Sequence, residues 1–197
     1  MTLVLKKAPT FKAVAVVNGK DVVKDFSLEQ YLGQKYVVFF FYPKDFSGVC
    51  PSEVLAFQER LADFENLGAV VVGCSTDSAE VHKVWLKTPH SENGIQGVTY
   101  PLVADETKTI AANYGVLAGE YFYDEEGKLA FEGSPIALRG TFIINKDGII
   151  KYESVNFFTA ARDIEAILRE LEAVIHTETT GGICLANWKK QKAEVVG

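Results

Sequence analysis

Apolar residues along the chain fall into two patterns, continuous runs and residues spaced three or four apart. The run YVVFFFY, residues 36–42, shows no alternation with polar residues, and AVVVGCS, residues 69–75, is similar. Such runs predict β-strands that are covered on both faces. Helical spacing instead marks residues 51–67 and 159–176, where the apolar residues form one stripe. The alternation of strands and helices predicts an α/β fold with a mixed central β-sheet flanked by helices.

Turn-forming residues between strand-like runs predict three hairpins. Asn18-Gly19 separates two β-prone runs and indicates an N-terminal hairpin. The sequence NKDG, residues 145–148, marks a second hairpin near the end of the sheet. A third, turned by DEEG within residues 119–133, is interpreted as an insertion.

Composition bounds the class of protein. The chain has 197 residues, of which 48% are hydrophobic and 23% are charged. This length and composition are enough for one sizeable hydrophobic core. We therefore expect a single domain over residues 1–197, with a core of about 3–176 and a flexible C-terminal tail of about 177–197. The net charge of −6 argues against nucleic-acid binding, and no apolar run approaches the ~20 residues of a membrane span. The opening MTLVLKKAP is too short an apolar stretch for a secretory signal, so a cytoplasmic protein is predicted.

The three cysteines, Cys50, Cys74 and Cys184, cannot make a disulfide framework, and none belongs to a CxxC pair. Cytoplasmic thiols stay reduced unless they are catalytic or redox-sensing. Cys74 lies in a predicted buried strand and is interpreted as a small buried apolar residue. For Cys50 and Cys184, a catalytic or redox role is the alternative explanation.

Cys50 stands in the stretch YPKDFSGVCPSE, between a loop and a predicted helix. Pro51 is tolerated in the first turn of a helix, which places Cys50 at the positive end of the helix dipole. Free backbone N–H groups there favour an anion, and the thiolate is the nucleophilic form of cysteine. Ser47 offers a hydroxyl donor, and Pro43 can narrow a pocket without adding one. A plain buried cysteine remains the alternative.

The same stretch resembles the active-site signature of the peroxiredoxins, Pro-x-x-x-Thr/Ser-x-x-Cys, followed by the Pro-Thr/Ser-Glu of the typical two-cysteine class. The segments VVGCSTDS, VWLKTP, PLVADETKTIAANYGVL, LRGTFIIN and GGICLANW resemble that class in the same order, over about residues 8–190. The chain is most similar to the short bacterial type that includes the peroxidase component of alkyl hydroperoxide reductase. The resemblance implies a thioredoxin-like fold and no metal or organic cofactor.

The resemblance also implies roles for five residues near the first cysteine. Cys50 would attack the O–O bond of a peroxide and become a sulfenic acid. Ser47 would donate to the peroxide, and Pro43 would shield it. Arg139 would stabilise the thiolate and polarise the peroxide, and Glu53 would orient that arginine.

Cys184 matches the family's resolving cysteine, which implies an intersubunit disulfide with Cys50 in an antiparallel homodimer. Thr179 to Gly182 is expected to be flexible enough for this movement. The disulfide would be reduced by a thioredoxin-like protein or by a flavoprotein disulfide reductase, and nothing in the chain selects between them. Family members also close into rings of five dimers, so a holdase chaperone is the alternative function.

Departures from the family pattern carry a further expectation. The loop ENGIQG, residues 92–97, is only loosely similar to the Gly-Gly-Leu-Gly motif of easily over-oxidised members, and no Tyr-Phe helix follows Cys184. Leu185 replaces the proline that usually follows the resolving cysteine. We therefore expect rapid disulfide formation and resistance to inactivation by excess peroxide.

Overall fold

The computed structural model describes residues 2–189. Met1 and residues 190–197, the last part of the predicted tail, lie outside the described residues. A seven-stranded sheet forms the centre, and a two-stranded sheet stands apart from it. The strands are β1 Ala13–Val17, β2 Asp21–Phe26, β3 Tyr36–Phe41, β4 Ala69–Ser75, β5 Leu102–Ala104, β6 Leu117–Tyr123, β7 Leu129–Ala137, β8 Arg139–Ile144 and β9 Ile150–Asn156.

Within residues 2–189, five α-helices connect or cover the strands, with short 3₁₀ segments at Leu28–Tyr31 and His90–Glu92. The helices are α1 Cys50–Glu59, α2 Leu61–Asn66, α3 Ala79–Trp85, α4 Thr109–Asn113 and α5 Ile164–Thr180. Among the described residues no helix is both long and apolar enough to cross a membrane.

The central sheet is mixed, which confirms the predicted fold class. Its strand order is β2-β1-β5-β4-β3-β8-β9. The pairs β3–β4 and β4–β5 are parallel, and the remaining neighbours are antiparallel. The predicted hairpins β1–β2 and β8–β9 form the two edges of the sheet, and Asn18 and Gly19 both have positive φ in the first turn.

Strand β3 is buried at every residue, as its unbroken apolar run predicts. Successive side chains of a strand point to opposite faces, so β3 contributes to two separate cores. Val38 and Phe40 pack in the core that also contains Cys50 and helix α5. Phe39 and Phe41 pack in the core on the other face, with Cys74. The sheet therefore separates Cys50 from Cys74.

The helix predicted after Pro51 is two helices, because the backbone leaves the helical region at Arg60 (φ −100°, ψ 7°). The apolar stripe continues across the break: the rings of Phe57 and Phe64 lie 5.9 Å apart, and both are buried. Periodicity could not reveal the break, since the same side chains face the core on both sides of it.

The last helix begins later than the predicted Thr159. Asp163 is the N-cap, and its side chain accepts the Ala166 N–H at 3.1 Å, so helix α5 starts at Ile164. An aspartate directly before the first apolar residue of a helical pattern signals the start of a helix. Here this signal outweighs the helical spacing of the residues before Asp163.

The same helix also ends later than predicted, at Thr180 instead of His176. The hydroxyls of Thr179 and Thr180 donate to the carbonyls of Ile175 and His176 at 2.7 Å. Gly181, with φ +67°, then ends the helix in the left-handed conformation. Thr179 and Thr180, which the sequence analysis placed in the flexible tail, are therefore helical in this structure.

The predicted insertion forms the hairpin β6–β7, whose strands pair only with each other among the described residues. Tyr121 and Phe131 lie opposite one another with ring centroids 4.9 Å apart. At the base of the hairpin the Leu138 N–H donates to the carbonyl of Val116 at 2.7 Å. One residue later the chain enters β8, which begins with Arg139.

Candidate active site

Cys50 is the first residue of helix α1 and is fully buried. Strand β3 ends at Phe41, and a loop of residues 43–49 leads from the sheet to this helix. The helix is positioned by Phe57, whose ring stacks on Phe40 of β3 with centroids 4.3 Å apart. The predicted arrangement of strand, loop, cysteine and helix is therefore present.

Fewer backbone donors are free at this helix start than the sequence suggested. The Cys50 N–H points to Ser47 Oγ at 3.4 Å, and Pro51 has no N–H to offer. The Ser52 N–H donates to the carbonyl of Val49 at 3.1 Å. The helix dipole remains favourable for an anion, but an anionic sulfur here needs a further cation.

Arg139 supplies that cation. Its Nη1 lies 3.4 Å from Cys50 Sγ and also donates to the carboxylate of Glu53. Its Nε and Nη2 donate to the carbonyl of Phe158 at 3.0 and 2.6 Å, so the planar guanidinium is held from both ends. Arg139 is only 2% exposed, which leaves its charge poorly screened.

Glu53 lies one helical turn after Cys50 and joins two arginines. Its Oε2 pairs with Arg139 and lies 3.3 Å from Nη1 of Arg162. Its Oε1 accepts the backbone N–H of Arg162 at 2.9 Å. The carboxylate therefore fixes the guanidinium next to the sulfur and also anchors the segment that precedes α5.

Arg162 is a site residue that the sequence analysis missed. Its guanidinium donates to the carbonyl of Phe41 and lies 5.1 Å from the ring centroid of Phe40. Burial lowers the pKa of Arg162 to about 10, although the charge of Glu53 opposes the change. No local signal pointed to Arg162, because it lies within the segment 159–176 that was predicted to be helical and meets Glu53 only in the folded protein.

A second buried polar cluster holds the beginning of the loop. Asp45 accepts from the Tyr42 hydroxyl at 2.9 Å and lies 2.7 Å from Nδ1 of His82. Burial lowers the pKa of His82, but the hydrogen bond and charge of Asp45 outweigh it and raise that pKa above 6.5. Burial raises the pKa of Asp45, against the opposing effect of His82. These groups were not predicted, because they are far apart in the chain.

The remaining predicted residues lie in different surroundings. Pro43 is buried at the beginning of the loop. Cys184 is not bonded to Cys50; its sulfur lies 3.9 Å from the carbonyl of Ala173 on helix α5. Cys74 is buried as predicted, and burial raises the pKa of its thiol. Within residues 2–189 no group of three or more His, Cys, Asp or Glu side chains could hold a metal ion.

Comparison with known proteins gives one consistent result. A model of the AhpC/TSA family matches residues 4–153. Alkyl hydroperoxide reductase C of Helicobacter pylori is 40% identical over 188 residues, 95% of this chain and 88% of that protein. Peroxiredoxin 2 of Drosophila melanogaster is 41% identical over 191 residues, 97% of this chain and 90% of that protein.

Solved structures agree with these sequences. The reduced 2-Cys peroxiredoxin of Plasmodium vivax superposes with a TM-score of 0.86 and 36% identity, over 98% of this chain and 92% of that one. AhpC of Enterococcus faecalis superposes with a TM-score of 0.79 and 32% identity, over 94% of this chain and 99% of that one. The predicted thioredoxin-like fold is thereby confirmed.

We expect Glu53→Gln to lower the free energy of unfolding by about 3–5 kcal/mol, because it leaves two buried guanidiniums without their shared anion. Urea unfolding followed by circular dichroism measures the change. Glu59→Gln on the exposed side of the same helix is the matched control and should change stability by less than about 0.5 kcal/mol. Equal effects of the two substitutions would contradict this account.

The His82–Asp45 pair should make stability depend on pH. Because the folded-state pKa of His82 is raised, its stabilisation is complete below about pH 6.5 and is lost as the pH rises through the folded value. The raised pKa of Asp45 also lowers stability as the pH rises, but that loss begins near pH 3.8, below the range considered for His82. In His82→Asn, whose amide can replace Nδ1–H, the free energy of unfolding should fall less between pH 6.5 and 9. Parallel pH profiles for the two proteins would rule out this contribution.

Proposed function

Because the chain belongs to the AhpC/TSA family and is a peroxiredoxin, a thiol-dependent peroxidase that reduces peroxides, we propose that Cys50 is the sulfur that reacts. The observation that carries this assignment is the 3.4 Å contact between Arg139 Nη1 and Cys50 Sγ. Cys74 is buried on the other face of the sheet, and its pKa is raised by burial. The sulfur of Cys184 lies 3.9 Å from the backbone carbonyl oxygen of Ala173.

The proposed first step is a displacement at oxygen. The Cys50 thiolate attacks the terminal oxygen of hydrogen peroxide or an organic hydroperoxide, an S–O bond forms, and the O–O bond breaks. The leaving oxygen takes a proton and departs as water or an alcohol, and the sulfur becomes a sulfenic acid. Arg139 and the Ser47 hydroxyl donate hydrogen bonds to the peroxide oxygens as negative charge moves onto them. Glu53 and Arg162 position Arg139, and Pro43 shields the pocket.

In the second step we propose that Cys184 of a partner subunit resolves the sulfenic acid. Its thiolate attacks Cys50 Sγ, the S–O bond breaks, and the oxygen leaves as water once protonated. An antiparallel homodimer would supply this partner. Strand β9 supports such a dimer, because it forms an edge of the sheet, and Val155 within it and Phe157 just after it are 48% and 65% exposed. Closure into a ring of five dimers is part of the same proposal.

The disulfide must be reduced before the next turnover. We propose a thioredoxin-like protein or a flavoprotein disulfide reductase as the electron donor, since the described chain contains no second dithiol that could do so. We propose the cytoplasm as the compartment, because such donors occur there and thiols there stay reduced unless they are catalytic or redox-sensing.

Cysteine substitutions test the assignment of the two sulfurs. After peroxide treatment the wild-type protein should run as a disulfide-linked dimer on a non-reducing gel. Cys184→Ser should be oxidised at Cys50 without forming that dimer, and Cys50→Ser should not react appreciably. Cys74→Ser is the matched control and should behave as the wild type. A dimer that persists in Cys50→Ser would overturn the assignment.

Replacement of Arg139 tests the electrostatic contribution. We expect Arg139→Met to slow Cys50 oxidation by about 10²–10³-fold, the usual effect of removing one donor to a developing oxyanion. Arg139→Lys keeps the positive charge, so its rate of Cys50 oxidation should fall by less than that of Arg139→Met. The measurement is the second-order rate constant with peroxide, with Arg60→Met as a surface control and circular dichroism to verify folding. A rate within twofold of the wild type would exclude Arg139 from the reaction.

A further inference from the structure

The hairpin β6–β7 carries an apolar face that is open to solvent. Residues directly opposite each other in an antiparallel pair project to the same face, and the register pairs Tyr121 with Phe131 and Tyr123 with Leu129. On the face that these four side chains form, Tyr123 is 74% and Leu129 is 61% exposed. A two-stranded hairpin is only marginally stable by itself in water, so an uncovered apolar face on it indicates an interaction site.

The opposite face of the hairpin carries an unfavourable pair of charges. Glu120 lies directly opposite Glu132, and both residues are exposed. Like charges opposite one another destabilise a pair of strands. Lys128 is the only basic residue of the segment 117–137, and its Nζ pairs with Glu126 beside the turn at 2.9 Å. A cation that balances Glu120 and Glu132 must therefore come from outside the hairpin.

The charge of the hairpin restricts the class of partner. Nucleic acids and the anionic surface of a membrane are repelled by a segment whose acidic residues outnumber its one lysine. A second copy of the chain has the same acidic hairpin and a net charge of −6, so it is also disfavoured. The favoured partner is a different protein that has basic residues around an apolar groove. The acidic residues of the hairpin are Glu120, Asp124, Glu125, Glu126 and Glu132.

The hairpin is attached next to the cation of the active site. Strand β7 ends at Ala137, and after Leu138 the chain continues with Arg139, whose Nη1 lies 3.4 Å from Cys50 Sγ. The seven residues of β6, at about 3.3 Å per residue, make an arm about 20 Å long. A peroxide is too small to contact such an arm along its length, whereas a protein docked on the arm is held close to Cys50.

We propose that the hairpin β6–β7 is the docking site for the protein that reduces the Cys50–Cys184 disulfide, and that this electron donor presents lysine or arginine side chains around an apolar groove. The inference rests on the proposed function, which requires such a donor. A thiolate of the donor attacks one sulfur of the disulfide, the S–S bond breaks, and the other sulfur leaves as a thiolate. The second thiol of the donor then breaks this mixed disulfide. The donor is oxidised by two electrons to its own disulfide, and both cysteines become thiols once protonated.

Reversal of two charges tests the docking site. Glu120→Lys/Glu132→Lys keeps a like-charged pair, so the hairpin should fold as before, but the new charges repel a basic donor. The second-order rate constant for reduction of the disulfide by the donor should fall about tenfold or more at low ionic strength, and the wild-type value should fall as salt is added. Glu59→Lys/Glu65→Lys, at two exposed glutamates of helices α1 and α2, is the matched control and should lose less than about threefold.

Two further variants separate docking from folding of the hairpin. Glu120→Lys alone creates a pair of opposite charges with Glu132, which stabilises the hairpin, yet the donor rate should still fall about three- to tenfold. Tyr123→Ser/Leu129→Ser removes two exposed apolar side chains and should slow the donor about tenfold while the salt dependence stays the same. A purely structural role of the hairpin predicts instead that Glu120→Lys is reduced at least as fast as the wild type.

Stopped-flow reduction of the peroxide-oxidised protein measures these rates. Each thioredoxin-like protein and each flavoprotein disulfide reductase of the source organism is used singly as the donor, with dithiothreitol as a small reductant for comparison. In every variant the rates with dithiothreitol and with peroxide should stay within about twofold of the wild type, because neither small molecule needs the docking site.

The possible outcomes have different meanings. Donor rates that are unchanged in the charge-reversed and apolar variants overturn the inference, as does a wild-type disulfide that no donor reduces faster than dithiothreitol. If these variants change only the sedimentation coefficient, the hairpin is a contact between copies of this chain and the inference is wrong. A wild-type protein that forms no Cys50–Cys184 disulfide after peroxide treatment would refute the proposed function itself.

Discussion

The buried Glu53 carboxylate, paired with Arg139 and Arg162, is the interaction on which the site depends. Three charged groups are removed from water together, which is tolerable only because each has a partner. The pairing joins helix α1, strand β8 and the segment before helix α5, which are far apart in the chain. It also determines where the guanidinium of Arg139 lies relative to Cys50, so the fold and the surroundings of the sulfur have the same origin.

Much of this arrangement could be predicted from local sequence. The unbroken apolar run of β3 identifies a fully buried strand, and Pro51 places Cys50 at the start of a helix. The hairpin turns identify both edges of the sheet. These features follow from backbone sterics and from the burial of neighbouring residues, so a short stretch of chain contains the information. The contact of Arg139 with the sulfur could be predicted only from the resemblance to a family, because an arginine in a strand can lie in many other surroundings.

The rest depends on contacts between distant residues. Arg162 and His82 acquire their roles only when the sheet brings them to Glu53 and Asp45, and no local pattern identifies such partners. The break at Arg60 was invisible because the apolar stripe continues across it. Helix α5 ends later than predicted because the hydroxyls of Thr179 and Thr180 donate hydrogen bonds to carbonyls of the preceding turn. The low helix propensity of threonine had predicted the opposite.

The position of Trp85 has an optical consequence. The centroid of its indole lies 6.1 Å from that of the Phe46 ring, in the loop that precedes Cys50, and the indole is fully buried. Indole emission moves to longer wavelength when water approaches the ring. If Phe46 moved away from Trp85, that environment would change, and the colour and intensity of the light emitted by the protein would change with it. The native chain thus contains a fluorophore beside the loop that precedes Cys50, and no added dye is needed to observe that loop.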